Sequence, residues 1–124
     1  QIAHNSGLSI KETLQRLKKA GLDSIPGGGA EILVDRVRKT LSPRKCNSAA
    51  WLEVMKTAHK LGMKTTATMM FGHLETYEER VVHMLKIRDL QDETTGFTAF
   101  ICWTFQPKNT ALNHLRSVGA VEYL

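Results

Sequence analysis

A glycine, a histidine and a glutamate lie close together in the segment KTTATMMFGHLET, residues 64–76. The threonines at its start favour a strand, and Gly72 allows a close approach to the backbone because glycine has no Cβ. His73 is a candidate donor to a ligand or a proton carrier near neutral pH, with an ordinary surface histidine as the alternative. Glu75 is a candidate acceptor for a ribose hydroxyl or an amine, or it serves only the first turn of the next helix. The segment therefore predicts a ligand site at a strand-to-helix turn, with a turn of no special function as the alternative.

A second candidate turn is rich in glycine. The segment PGGG, residues 26–29, follows a strand expected over about 22–25 and leads to Ala30 and Glu31, which begin the next predicted helix. Free amide groups and the dipole at such a helix start favour an anion or a polar ligand. The same glycines are equally typical of a flexible linker.

A third turn follows the apolar run FTAFICWTF, residues 97–105. Trp103 and Phe105 occupy alternate positions of this predicted strand, so their side chains share one face of the sheet. Both are predicted core residues, although an aromatic ring at the rim can also stack on a base or another ring. Gln106 and Asn109 are ordinary turn residues or, in the same location, contacts for a polar substrate.

The predicted elements bring these turns to one edge of a sheet. Helices are expected over about 10–20, 30–41, 48–61 and 76–91 and from about 110, and strands over about 22–25, 63–71 and 97–105. Each strand returns to the next through at least one helix, which requires parallel strands and an α/β fold. The carboxyl ends of parallel strands meet at one rim, where such folds bind their ligands.

The composition is ordinary for a globular chain. The 124 residues are 42% hydrophobic and 23% charged, and no apolar run approaches the roughly 20 residues of a membrane span. The net charge of +5 comes from scattered basic residues, which argues against a nucleic-acid surface. Cys46 and Cys102 have no cysteine or histidine nearby at metal-ligand spacing, so neither a metal site nor a disulfide framework is predicted. We expect a cytoplasmic protein that binds neither nucleic acid nor a membrane.

Four segments together resemble a known family. They are residues 20–32 (AGLDSIPGGGAEI), 65–76 (TTATMMFGHLET), 90–94 (LQDET) and 103–107 (WTFQP). They resemble the radical S-adenosylmethionine (radical SAM) enzymes of the futalosine route to menaquinone, and within that family the dehypoxanthine futalosine cyclases. The first two segments are also similar to the aminofutalosine synthases and the deazaflavin-cofactor synthases.

The resemblance implies part of a TIM-like (βα) barrel that holds SAM and a [4Fe–4S] cluster. It also implies a nucleoside substrate and an electron donor such as a flavodoxin or a ferredoxin. Residues implied to bind the cofactor are Gly72, His73 and Glu75 near its adenosine part and Asp23, Gly28 and Glu31 on the ribose or substrate side; those expected to meet the substrate are Trp103, Gln106 and Asn109.

The sequence departs from the family in its cysteines. The cluster requires the spacing Cys-x-x-x-Cys-x-x-Cys, which Cys46 and Cys102 do not provide. We expect the cluster ligands upstream of Gln1, and the chain to be one barrel segment, truncated at both ends, that is inactive alone. Cys102 also stands where the family pattern has a proline.

The resemblance implies that the whole enzyme cyclises dehypoxanthine futalosine through a ribose radical that adds to the benzoate ring. An aminofutalosine synthase is the second enzyme hypothesis. A third hypothesis belongs to a different functional class: the chain is a non-catalytic α/β module that binds a nucleotide or a protein.

Overall fold

The computed structural model describes residues 2–123, and position 120 by its backbone alone. The helices are α1 (Ile2–Ser6), α2 (Ile10–Lys19), α3 (Asp35–Leu41), α4 (Ser48–Lys60), α5 (Tyr77–Thr94) and α6 (Ala120–Tyr123), and the strands are β1 (Ser24–Ile25), β2 (Lys64–Phe71) and β3 (Phe97–Thr104). The sheet has the order β1–β2–β3, and both pairs are parallel. This arrangement confirms the predicted α/β class. Within residues 2–123, no helix combines the length and the apolar character that crossing a membrane requires.

Local sequence signals account for the starts of the main helices. Ser9 caps α2 and Thr76 caps α5, each in a reciprocal capping box with the glutamate three residues later. Asn47 caps α4 by accepting a hydrogen bond from the amide of Ala50. Because the cap of α5 follows β2 after only a few residues, the turn that contains Gly72 is held between a strand end and a fixed helix start.

The two faces of the sheet differ. Helices α4 and α5 cover one face around Ala67, in a core cluster that also contains Trp51, Met55, Ile87 and Leu90. Paired residues of parallel strands point to the same side, and the register pairs Thr68 with Ile101 and Met70 with Trp103. These residues alternate with those that meet the helices, so they lie on the opposite face. Ile101 is 48% exposed and Trp103 is 39% exposed there.

The helix expected from Ala30 begins instead at Asp35. The amide of Leu33 donates to His83 Nδ1 at 3.0 Å, and the carbonyl of Glu31 accepts from the amide of Met70 at 3.0 Å. These long-range hydrogen bonds take the place of helical ones, so the prediction of a helix start at Ala30 and Glu31 is wrong.

The two ends of the chain also differ from the prediction. Residues 108–115 form turns rather than a helix beginning near Thr110, and the short helix α6 comes later, at Ala120–Tyr123. Helix α1, Ile2–Ser6, was not predicted. Helix α5 continues three residues beyond the expected Gln91, to Thr94. None of these differences moves the strand ends that carry the candidate site.

Candidate ligand site at the carboxyl ends of the strands

Three stretches of chain meet at the carboxyl end of β2. The amide of Phe105 donates to the carbonyl of Phe71 at 2.7 Å, which places the end of β3 beside the Gly72 turn. On the other side, the hydrogen bond from Met70 to Glu31 brings the chain that follows β1 alongside β2. The convergence predicted from the parallel topology is therefore confirmed.

The Glu75 carboxylate organises the turn after β2. Oε1 accepts hydrogen bonds from the amide of Gly72 at 2.6 Å and from Arg80 Nε at 2.8 Å, and Oε2 accepts from the amide of His73 at 2.9 Å. Arg80 also forms an ion pair with Oε1 at 2.7 Å. The carboxylate is fully buried, and both of its oxygens have partners within the turn.

The surroundings of Glu75 favour its ionised form. Burial raises its pKa, but hydrogen bonds from the His73 side chain and from the amides of Gly72 and His73 outweigh burial and hold the pKa well below its usual range. Because the two amides and the Arg80 guanidinium are donors, the turn needs an acceptor at both oxygens. An amide in place of the carboxylate would set its NH₂ group against a donor in either orientation. We therefore expect Glu75→Gln to disturb the turn, although the two side chains have nearly the same size.

The His73 side chain is buried in the same turn. Its Nε2 lies 2.9 Å from the carbonyl oxygen of Met70, and its Nδ1 lies 2.7 Å from the amide nitrogen of Leu74 and 2.9 Å from Glu75 Oε2. The ring also meets Phe105 edge-to-face, with centroids 5.7 Å apart. Both ring nitrogens thus have backbone partners, so the surface histidine considered from the sequence is not what the structure shows.

Gly72 adopts a φ of +85°, which side chains rarely adopt. A Cβ at this position would lie 3.2 Å from the Cβ of Val118 and still closer to one of its methyl groups. Val118 packs with Phe71 and Met69 in a second core cluster. The open side of Gly72, by which we mean the side that lacks a Cβ, therefore allows close contact. In this structure Val118 lies against it.

The glycine turn after β1 is fixed by its first glycine. The amide of Gly27 donates to Thr66 Oγ1 at 2.7 Å, and Thr68 Oγ1 donates to the carbonyl of Gly27 at 2.6 Å. A Cβ on Gly27 would lie 2.6 Å from the carbonyl carbon of Thr66, whereas a Cβ on Gly28 would meet nothing within 4 Å. Gly27, which meets the backbone of β2, and Gly29, with a φ of +82°, are therefore the positions of this turn that favour glycine, whereas the contact of Gly28 with a cofactor stays a prediction.

Asp23 lies at the opposite end of the sheet from the Gly72 turn. Ser24 pairs with Lys64 at the start of β2. Because β2 has 8 residues and a strand rises about 3.3 Å per residue, roughly 26 Å separates this level from Gly72. The structure does not bring Asp23 together with the other candidate residues, and its contact with the cofactor stays a prediction.

Glu31 contributes its main chain to the rim and turns its carboxylate elsewhere. Its Oε1 pairs with the ammonium group of Lys45, and its Oε2 lies 3.8 Å from the Arg38 guanidinium. Arg38 is itself buried and donates to the carbonyls of Gly29 and Cys46. The Glu31 side chain therefore belongs to an ion cluster beside α3 and is not at a helix N-terminus.

The residues after β3 are more exposed. Gln106 lies at the rim and donates through Nε2 to Thr104 Oγ1 at 3.0 Å, and Asn109 lies in the following turn with a φ of +63°. Trp103 lies on the face that no helix covers within the described residues 2–123, whereas Phe105 is 7% exposed. The core prediction is therefore confirmed for Phe105 and wrong for Trp103.

Sequence reasoning missed three residues that shape the rim. Arg80 was overlooked because its link to Glu75 joins a turn to the helix that follows, which no spacing rule signals. Thr66 and Thr68 were read only as strand formers, but their hydroxyl groups hold Gly27. Period-two spacing does place both threonines on one face of the strand, and this was the available signal.

The described residues do not supply a metal or cluster site. Within residues 2–123, no group of three histidine, cysteine or acidic side chains could hold a metal ion. Cys46 is exposed in the loop before α4, and Cys102 is partly buried in β3. A [4Fe–4S] cluster, which takes several cysteine thiolates, does not fit this set of donors.

Comparison with known proteins identifies the family. The model of the radical SAM superfamily matches residues 1–87, which include β1, β2 and the Gly72 turn. The chain belongs to the radical SAM superfamily. Enzymes of this superfamily use SAM and a [4Fe–4S] cluster, so the cofactors expected from the resemblance are confirmed for the family.

Several relatives are similar over most of the chain. The 5-amino-6-(D-ribitylamino)uracil–L-tyrosine 4-hydroxyphenyl transferase 1 of Methanosarcina mazei is 54% identical over 88% of the chain and 30% of its own length. The cyclic dehypoxanthine futalosine synthase of Halalkalibacterium halodurans is 47% identical over 100% of the chain and 34% of its own length. The aminodeoxyfutalosine synthase of Thermus thermophilus is 50% identical over 94% of the chain and 31% of its own length. The chain thus spans about a third of the length of these relatives.

Proposed function

We propose that the full-length protein containing this chain is a radical SAM enzyme that cyclises dehypoxanthine futalosine in menaquinone biosynthesis, and that this chain is one segment of its barrel. The alignment with the Halalkalibacterium halodurans synthase supports this choice most, because among the three relatives named above it alone extends over all 124 residues. It therefore includes β3 and the rim residues that follow it, where barrels of this class hold their substrates.

In this proposal, the open side of Gly72 receives the adenosine part of SAM. The position of Val118 supports this proposal, because Val118 occupies the space that a Cβ on Gly72 would fill and so shows that a group can pack closely against this glycine. SAM and Val118 would use the same side of Gly72, so Val118 must move aside or form one wall of the pocket. When bound, SAM and the cluster supply a deoxyadenosyl radical. The chain's own backbone at residues 72–75 orients the ligand.

The substrate side of the proposed pocket lies along the face without helices. Trp103 is exposed on this face, and Gln106 lies at its rim. The Trp103 ring, placed beside the substrate, would hold the ribose and benzoate groups close together. In favourable cases such positioning lowers the activation barrier by about 7–11 kcal/mol. Gln106 and Asn109 would form hydrogen bonds with polar groups of the nucleoside. An electron donor of the flavodoxin or ferredoxin class is part of the same proposal.

A second candidate function has its own support. The 54% identity to the Methanosarcina mazei protein, which is named for a uracil derivative and tyrosine, exceeds the 47% identity to the cyclase-type relative. Because relatives with three different names are 47–54% identical to the chain, sequence identity here separates the reactions poorly. Measurement of the product separates them directly.

The test uses the full-length protein with its cluster reconstituted without oxygen. SAM and dithionite are supplied with dehypoxanthine futalosine, with 5-amino-6-(D-ribitylamino)uracil plus L-tyrosine, or with an enolpyruvyl benzoate plus an adenosine-type substrate. Mass spectrometry measures deoxyadenosine and the product in each mixture. We expect a cyclised product only from dehypoxanthine futalosine. Product from either other mixture would replace the proposal with that reaction, and absence of deoxyadenosine throughout would favour a non-catalytic module.

A further inference from the structure

The Glu75 carboxylate has no free oxygen for a ligand. Its two oxygens accept from the amides of Gly72 and His73 and from Arg80, and Oε2 also lies 2.9 Å from His73 Nδ1. It therefore acts on the backbone of the turn. The question is what holds the carboxylate in this orientation.

Arg80 is the only cation that contacts Glu75 from the following helix in the described part of the chain. It reaches back from the first turn of α5 with Nε at 2.8 Å and a terminal nitrogen at 2.7 Å from the same oxygen. Its guanidinium carbon also lies 4.8 Å from the ring centroids of Phe71 and Tyr77. The planar guanidinium is thus fixed between a strand end, a helix start and the carboxylate.

We propose that Arg80 is a positioning residue of the cofactor site, which acts through Glu75 to hold the Gly72–His73 backbone in the shape that receives SAM. This inference rests on the proposed function of the Gly72 turn. Arg80 itself does not contact the ligand. Its removal leaves a buried carboxylate beside two amides and the His73 ring but without the arginine charge, so the turn relaxes while the sheet beneath it stays paired.

Binding of SAM to the reconstituted full-length protein, without reductant, tests this role. Arg80→Met should weaken SAM binding by at least about tenfold. Arg88→Met is the matched control, because Arg88 lies on the same helix and pairs with exposed Asp89. The control should stay within about twofold of the parent. Arg80→Lys, which keeps the charge but loses the planar fork, should fall between them.

A double-variant cycle separates positioning from general destabilisation. If Arg80 acts through Glu75, the variant with both Arg80→Met and Glu75→Gln binds SAM no more weakly than the worse single variant. Binding of the nucleoside substrate should change little in Arg80→Met. Losses of SAM affinity that multiply in the double variant, or equal losses of SAM and substrate affinity with a lower Tm, would overturn the inference.

The same assay distinguishes this inference from the proposed function. If Gly72→Ala weakens SAM binding and Arg80→Met does not, the positioning role is wrong and the site stands. If Gly72→Ala leaves SAM binding unchanged, the site itself is wrong. Should Arg80→Met fail to fold, Arg80→Lys decides, because unchanged SAM affinity in that variant contradicts a role for the bidentate guanidinium.

Discussion

Gly27→Ala should destabilise the protein strongly, whereas Gly28→Ala should not. The added Cβ at Gly27 would lie 2.6 Å from the Thr66 carbonyl carbon and 2.7 Å from the Ala67 Cα, against ordinary contacts of 3.4–4 Å. Both neighbours are backbone atoms of the central strand, so they cannot turn away as a side chain can. The glycine turn must therefore move by most of an ångström.

The size of the effect follows from the contacts that such a movement disturbs. Overpacking of a closely packed site costs about 1–3 kcal/mol. The movement also stretches the two hydrogen bonds that Thr66 and Thr68 make with Gly27, worth about 1 kcal/mol each. A loss of about 3 kcal/mol or more lowers the Tm of a domain of this size by about 10 °C.

Thermal and urea unfolding of the two variants, followed by circular dichroism, measures the difference. A Cβ on Gly28 meets nothing within 4 Å, so Gly28→Ala should change stability by less than about 1 kcal/mol and can raise it by restricting the unfolded chain. Equal Tm values for Gly27→Ala and Gly28→Ala would refute the claim that Gly27 is clamped against β2.

Three further predictions concern stability, catalysis and the cluster. Burial lowers the pKa of His83 from 6.5 to about 4, so the unfolded chain takes up the proton more readily than the folded protein. Stability that is complete well above pH 6.5 therefore falls by about 2 kcal/mol as the pH decreases to 5. His83→Asn keeps an acceptor for the Leu33 amide, and unfolding measured against pH should show a smaller acid loss; an identical loss in both proteins contradicts the assignment. Trp103→Ala in the full-length enzyme should leave deoxyadenosine formation and Tm nearly unchanged while cyclised product decreases, and proportional decreases of both products together with a lower Tm would make Trp103 a structural residue. Reconstitution of this chain alone with iron and sulfide should give no stable absorbance of a [4Fe–4S] cluster. Recovery of about four irons per chain would contradict the claim that the cluster ligands lie outside the chain.

The sequence predicted the parts of the fold that local patterns determine. The helices expected from about residues 10 and 76 begin at Ile10 and Tyr77, and each start follows a capping box, which is a short sequence pattern. The parallel sheet followed from the alternation of strands and helices. The helix expected from Ala30 failed because the decisive partner of Leu33 is His83, fifty residues later in the chain.

The convergence of the turns was predicted, but the contacts within them were not. This convergence at the strand ends follows from topology, which the sequence pattern conveys. The difference between Gly27 and Gly28 depends on which glycine meets the backbone of β2, and a run of identical residues cannot show this. The role of Glu75 depends on Arg80, whose side chain reaches the carboxylate only once both the turn and the helix have formed.

The central claim is that the Gly72 turn contacts SAM, and a pair of glycine variants tests it most directly. A Cβ at Gly72 meets Val118 at the rim, whereas a Cβ at Gly96 meets the His59 ring at the amino end of β3, so both changes strain the fold and only one adjoins the proposed site. SAM affinity and Tm are measured for Gly72→Ala and Gly96→Ala in the reconstituted full-length protein. We predict a lower Tm for both variants and a loss of SAM affinity of at least about tenfold for Gly72→Ala alone. Equal SAM affinity in the two variants would contradict the account.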